Sequence, residues 1–218
     1  MGSKEAKLIQ VDYMKESWIF GGAPIADYSC INISEKAVVI AADGGYDHLK
    51  KINIYPDYII GDLDSYKGDL PDECEIITAP VRKDDTDMML AVKKALEIGC
   101  DKIFICGALG GRLDHTIANI QTLEYIFDNG GYGVVVDYDN IVSIQDKGIL
   151  TYEKMDGWYF SVFSLTEKSE LSLAGTSFET ENCILTRGFP LGVSNEIILD
   201  NAIVNLFSGR LLIIRSRK

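Results

Sequence analysis

Short apolar runs that stop at glycine or aspartate recur through the first 139 residues. Trp18-Ile19-Phe20 stops at Gly21-Gly22, and the run 37–42 stops at Asp43-Gly44-Gly45. Tyr58-Ile59-Ile60 stops at Gly61-Asp62, 75–78 near Pro80, 102–106 at Gly107, and 133–136 at Asp137. Runs apolar at successive positions, rather than at alternate ones, predict strands covered on both faces. Between them lie helical patterns. A short helix is expected over 25–34 and one or two turns over 46–52. A clear helix is expected over 86–98, with Met89, Val92 and Leu96 inward, Lys93, Lys94 and Glu97 outward, and Gly99 as its stop. Another is expected over 114–127, with Ile117, Ile120, Leu123 and Phe127 inward. Strands alternating with helices predict an α/β fold, a mostly parallel sheet flanked by helices.

Beyond Asp139 the helical period disappears. Residues 151–154, the turn Met155-Asp156-Gly157 and residues 158–165 predict a hairpin. Short runs follow at 170–173, 183–186, 195–199, 202–207 and 210–214. The expected organisation is an α/β domain over 1–139, followed by a small all-β sandwich domain over 140–218. Residues 1–16 are expected to be a poorly ordered tail, with Met1-Gly2-Ser3 tag-derived.

The polar residues change the picture most, because they sit just after the predicted strands. Gly21-Gly22, Asp43, Asp62, Asp64, the segment Lys83-Asp84-Asp85-Thr86-Asp87 and the loop 107–114 all do so. In an open α/β sheet these ends share one edge and form the ligand crevice. Carboxylates brought this close repel one another unless water or a cation neutralises them.

Gly61-Asp62-Leu63-Asp64-Ser65 puts two carboxylates within reach of one hard cation, with Ser65 to add an oxygen or cap the next turn. A lone pair of this kind is more often a solvated acidic turn. Ending a buried strand, and with acidic partners elsewhere on the edge, it reads better as a metal site. Asp at a helix start complements the dipole, which accounts for one or two of Asp84, Asp85 and Asp87 but not all three. Asp84 and Asp87 are expected to face the site, with Asp85 more exposed. Lys83 is placed to neutralise the cluster or to contact phosphate. In the 107–115 loop, glycines allow phosphate to approach and Arg112 can clamp it with two N–H bonds. Asp114 is a good N-cap, and a first-turn histidine such as His115 is more often structural than catalytic. The loop is neither a Walker A nor a dinucleotide-binding fingerprint. Around Phe178 and Ser194-Asn195, ordinary sandwich core and turns are the better reading of the residues alone.

The 218 residues, 47% of them hydrophobic, suffice for a sizeable core, and the net charge of −12 argues against nucleic-acid and anionic-membrane partners. An anionic nucleotide remains compatible if Mg²⁺ bridges it to the protein. Five cysteines without a CxxC pair, several in apolar surroundings, are expected to be reduced, in a cytoplasmic protein.

In order and spacing, the segments 42–45, 56–65, 83–87 and 107–115, with the Gly175 segment and Ser194-Asn195, resemble the thiamin pyrophosphokinase family. The resemblance runs from about Trp18 to the C-terminus. It implies an α/β ATP-binding domain followed by a thiamin-binding β-sandwich, in a homodimer whose active sites are shared between subunits. It implies Mg²⁺-dependent transfer of pyrophosphate from ATP to the thiamin hydroxyl. Asp43, Asp62, Asp64, Asp84 and Asp87 resemble the metal and nucleotide-site acids, with Asp64 or Asp87 open as acceptor of the hydroxyl proton. Ser65, Lys83, Arg112, Asp114 and His115 fall on the ATP side. Phe178 stands where many members carry a thiamin-stacking tryptophan, and Ser194 and Asn195 resemble pyrimidine-side contacts. Two other classes suit the same residues. A metal-dependent phosphoesterase would ordinarily want histidine ligands, and the chain has only His48 and His115. A nucleotide or thiamin sensor would bind without turnover.

Overall fold

The computed structural model describes residues 15–62, 71, 74–78 and 84–218. Residues 1–14 of the expected tail lie outside them, as do Asp64, Ser65 and Lys83, whereas Glu16, also expected in the tail, starts the first strand. The first half forms β1 (Glu16–Phe20), β2 (Val38–Ala42), α1 (Gly45–Lys51), β3 (Tyr58–Gly61), β4 (Glu75–Thr78), α2 (Asp87–Glu97), β5 (Lys102–Cys106), α3 (Leu113–Asp128) and β6 (Tyr132–Val136). These six strands are parallel, in the order β4-β3-β2-β1-β5-β6. Alternate residues of each strand serve opposite faces. Ile19, Ile40 and Ile105 pack with α2 and α3 around Val92, Leu123 and Ile126. Trp18, Phe20, Val39 and Ala41 pack on the other side with Tyr46 and Leu49 of α1. Both faces are covered, which is why the strands lack polar alternation.

The second half forms β7 (Asn140–Gln145), β8 (Gly148–Glu153), β9 (Trp158–Ser164), β10 (Lys168–Ala174), β11 (Thr180–Thr186), β12 (Asn201–Ser208) and β13 (Leu211–Arg217). Three of these strands extend the first sheet: β7 pairs antiparallel with β6, then β13 and β9 follow, giving nine strands. The rest form an antiparallel sheet, β11-β10-β12-β8. Phe160, Val162 and Ile213 of the first sheet meet Leu171, Leu173 and Val204 of the second in a separate core. The sandwich therefore has a continuation of the parallel sheet as one of its layers.

Several expectations are corrected. Residues 25–34 are irregular, not helical. Pro24 precedes them, and local bonds replace helical ones: Ser29 N–H donates to Asp27 Oδ1 (2.7 Å) and Ile31 N–H to Tyr28 O (2.9 Å). The inward stripe of α2 is Met88, Ala91, Val92 and Ala95. The inward stripe of α3 is Asn119, Thr122, Leu123 and Ile126, and Ile117 is exposed. Val92 and Leu123 are buried as expected, and Leu96, Ile120 and Phe127 pack partly buried against the core. Each stripe is nonetheless centred elsewhere, because alanines permit close packing and the polar pair is satisfied. Asn119 Nδ2 donates to Ala108 O (2.8 Å) and Thr122 Oγ1 to Ala118 O (2.9 Å). The expected hairpin across Asp156-Gly157 does not form. β8 pairs with β12 and β9 with β13, so this turn carries the chain from one sheet to the other. Residues 195–199 make only isolated bridges, Asn195 to Phe160 and Ile197 to Thr176. β7 escaped notice because its buried positions include Ser143 and Gln145, the latter bonded to Val204 O and Tyr152 Oη. All five cysteines are free. Among the described residues no helix is long and apolar enough to cross a membrane.

Candidate active site

Strand order reverses at β1, which lies between β2 and β5. A crevice opens outside the C-terminal strand ends at such a switch point. Here Gly21 N–H donates to Cys106 O (2.8 Å) and Ala23 N–H to Gly107 O (2.9 Å), knitting the loops after β1 and β5 together. Only glycine permits this crossing: a Cβ on Gly21 would stand 2.6 Å from Gly107 O. Beside it, a Cβ on Gly45 would collide with Phe20 O, so α1 can start against the end of β1 only from a glycine. The result is a cavity of about 400 Å³. Its walls are residues 21–24, Ala42 and Asp43 after β2, 86–88 at the start of α2, the 107–112 loop, and His115, Ala118 and Asn119 of α3.

The carboxylates converge on this cavity unequally. Asp43 lines it from a left-handed backbone conformation (φ 51°), which aspartate tolerates better than most residues. Its Oδ2 lies 3.8 Å from where a Gly22 Cβ would stand. Gly61 gives Asp43 and Asp87 room: a Cβ there would come within 3.4 Å of Asp43 Cα and 3.6 Å of Asp87 Oδ1. Asp62 follows directly, half-buried. Asp87 lines the cavity in the first turn of α2, whose start is fixed by Thr86 Oγ1 accepting from Met89 N–H (3.1 Å). Asp84 and Asp85 exchange their expected places. Asp84 is exposed and not on the wall, whereas Asp85 is half-buried and paired with Lys93 at 2.7 Å. The salt bridge raises the Lys93 pKa, chiefly through the hydrogen bond that Lys93 donates to Asp85. Among the described residues no three acidic, histidine or cysteine side chains gather closely enough to cage a metal. Mg²⁺ does not require a cage. It takes one or two carboxylates and completes its shell with water and phosphate oxygen, so the hard oxygen donors Asp43, Asp62 and Asp87 suit it.

The same cavity wall carries Arg112 and His115, both exposed. Arg112, not Asp114, occupies the N-cap position of α3, with no side-chain capping bond. Asp114 sits in the first turn and receives Arg112 Nη2 at 2.6 Å and Nε at 3.1 Å, with His115 N–H at 3.0 Å. The bond from Arg112 holds the Asp114 carboxyl below its usual range, and Asp114 in return raises the Arg112 pKa. The pair is exposed and two residues apart, the weakly held kind that an incoming anion can rearrange. Asp114 itself does not line the cavity.

Phe178 and Asn195 lie elsewhere, around an apolar cavity of about 270 Å³ in the sandwich, with Val162, Leu171, Leu185 and Leu191. Phe178 is 74% exposed at its edge. Asn195 is buried and its carboxamide is fully engaged. Oδ1 accepts from Phe178 and Glu196 N–H, and Nδ2 donates to Thr176 Oγ1 and Phe178 O. Its role here is to shape the loop that carries Phe178. Ser194 is exposed at φ 58° and anchors by its N–H to Ser161 Oγ (2.9 Å). The two cavities share no lining residue.

The sequence reading overlooked Ala23, Pro24 and Asn119 as wall residues. Asn119 had a signal, an amide at the buried phase of an apolar helix, which usually means a committed hydrogen bond.

The family described as "Thiamin pyrophosphokinase, catalytic domain" matches residues 32–132. Thiamine pyrophosphokinase of Bacillus subtilis (strain 168) is 32% identical over 189 residues, covering 84% of this chain and 88% of its own. Thiamin pyrophosphokinase 1 of Caenorhabditis elegans is 26% identical over 198 residues, 83% of this chain and 80% of its own. The crystal structure of thiamine pyrophosphokinase from Bacillus subtilis superposes with a TM-score of 0.84 at 30% identity, covering 94% of this chain and all of that one (100%).

Proposed function

The chain belongs to the thiamin pyrophosphokinase family, and from that premise we propose that it transfers the terminal diphosphate of ATP to the hydroxyl of thiamin, releasing AMP. The observation that carries this reading is the cavity at the switch point. Its lining includes glycines open to phosphate, the acids Asp43 and Asp87, and Arg112. Such a site neutralises and aligns a polyphosphate without covalent chemistry, which is what phosphoryl-type transfer demands.

In the proposed reaction the thiamin hydroxyl oxygen bonds to the β-phosphorus of ATP. The bond from that phosphorus to the oxygen bridging the α-phosphate breaks, and AMP leaves with that oxygen. The hydroxyl proton passes to a carboxylate, for which Asp87 and Asp64 are the candidates. Arg112 turns from Asp114 to the phosphates, and Ser65, Lys83, Asp114 and His115 serve the ATP side. Asp43, Asp62, Asp64, Asp84 and Asp87 are the acids that would hold Mg²⁺, with Asp84 needing to turn inward. When bound, Mg²⁺ would supply charge neutralisation across the polyphosphate.

The reading gives residues 1–139 to ATP and 140–218 to thiamin, with the ring on Phe178, Ser194 at its pyrimidine side, and Asn195 serving that side through the loop it shapes. It includes a homodimer that brings one subunit's sandwich to its partner's ATP cavity. Exposed Phe178 and Leu191, both lining the sandwich cavity, support this, since exposed apolar groups set together mark contact sites. A cytoplasmic location suits five free cysteines. Product analysis with ATP, Mg²⁺ and thiamin tests the proposal: AMP and thiamin diphosphate are expected in equal amounts. Phosphate release without consumption of thiamin points instead to a phosphoesterase, and binding without turnover to a sensor.

A further inference from the structure

His48 does not line the cavity, yet it bonds to a residue of its wall. It lies on α1 at 6% exposure. Its Nε2 is 2.9 Å from Ala23 O and its Nδ1 is 2.7 Å from Tyr28 Oη. A carbonyl oxygen can only accept, so Nε2 carries the proton. In the neutral ring Nδ1 then accepts from the Tyr28 hydroxyl. Burial favours that neutral form, working against the raising effect of the Ala23 bond. Asp47 and Lys51 of the same helix act on the ring with opposite sign.

These bonds span three pieces of chain. Ala23 lines the cavity, and its N–H already bonds to Gly107 O at 2.9 Å. Residues 21–37 have no helix or strand of their own to stiffen them. The carbonyl and N–H of Ala23 are therefore held from opposite sides, by the imidazole of α1 and by the glycine loop after β5.

We propose that His48 is a positioning residue. With Tyr28 it fixes the 21–24 wall of the cavity in the shape that receives the nucleotide's polyphosphate. The nucleotide part rests on the function proposed above; the fixing of the wall does not. His48→Phe keeps the ring volume and removes both bonds, whereas His48→Gln keeps a donor for Ala23 O. Expected for His48→Phe is a rise of about tenfold in KM for ATP, the scale of one lost internal hydrogen bond, with KM for thiamin unchanged. His48→Gln should stay within about threefold of the parent, and NMR should show the Ala23 amide exchanging faster in His48→Phe but not in His48→Gln. Equal rises in KM for ATP in the two variants, or none in His48→Phe, would overturn the proposal. Should His48→Phe not fold, Tyr28→Phe carries the test: KM for ATP rises about threefold and Ala23 exchange quickens. Parent-like values for both quantities refute it. If the parent shows no ATP-dependent turnover, the functional reading fails. Ala23 exchange then decides the positioning role alone: faster in His48→Phe supports it, unchanged overturns it.

Discussion

The two cavities of this molecule are built on opposite principles. The switch-point cavity is made of backbone and charge: glycines that admit a close approach, Asp43, Asp87 and Arg112. Its parts come from five separate chain segments, held by loop-to-loop hydrogen bonds. The sandwich cavity is made of side-chain carbon, from Val162, Leu171, Leu185 and Leu191, with Phe178 at the rim and Asn195 committed to the scaffold. A polyphosphate needs the first kind of surface and a flat heteroaromatic ring the second. The contrast predicts that substitutions at one cavity should leave the other's ligand unaffected.

The largest effects are expected at the acids. Asp87→Asn and Asp43→Asn should each lower kcat by roughly 100-fold or more, the scale of losing one preorganised electrostatic group. Asparagine tolerates the left-handed backbone at 43, so thermal melting should move little. Turnover near the parent rate in both variants would break the assignment. Next comes Gly45→Ala, where the added methyl meets Phe20 O. It should destabilise the fold by about 3 kcal/mol or more, read as the urea midpoint. Arg112→Ala should raise KM for ATP by about 10- to 100-fold, from 1.5–3 kcal/mol of charged hydrogen bonding, and leave KM for thiamin alone. Phe178→Ala should do the reverse on a smaller scale, raising KM for thiamin about 2- to 10-fold, with Phe178→Trp retaining affinity. A shift in both Michaelis constants by either variant would show the cavities to be coupled.

The smallest expected effect is on stability at acid pH. Burial lowers the His48 pKa from its ordinary 6.5. The unfolded chain thus takes up a proton that the folded chain resists. The stabilisation is complete above pH 6.5 and is lost as pH falls from there through the folded-state pKa. Melting temperatures between pH 7.5 and 5 should decline less steeply for His48→Gln than for the parent.

Much of the first half was legible because its signals are local. A run such as 103–106 is apolar throughout and ends at Gly107, so strand, face coverage and loop follow from a few adjacent residues. Where the stabilising partner is distant, the pattern misleads. Ser143 and Gln145 read as polar breaks until Val204 and Tyr152 are seen beside Gln145. The phase of α3 depends on Asn119, whose amide is committed to a carbonyl eleven residues away in the chain. The exchange of Asp84 and Asp85 turns on Lys93, a helix turn or two further on.

By itself the sequence determined most strands of the first half and its two long helices, the acids and glycines at the strand ends, the resemblance to a pyrophosphokinase, and an acidic charge with which a cation-bridged anion is compatible. Only the tertiary structure decided which acids share a wall and that the sandwich is grafted onto the parallel sheet through β7. It alone joined His48 to Ala23. The physical reason is range. Backbone propensity and hydrophobic period act within a few residues, whereas a site is fixed by hydrogen bonds and contacts whose partners lie far apart along the chain.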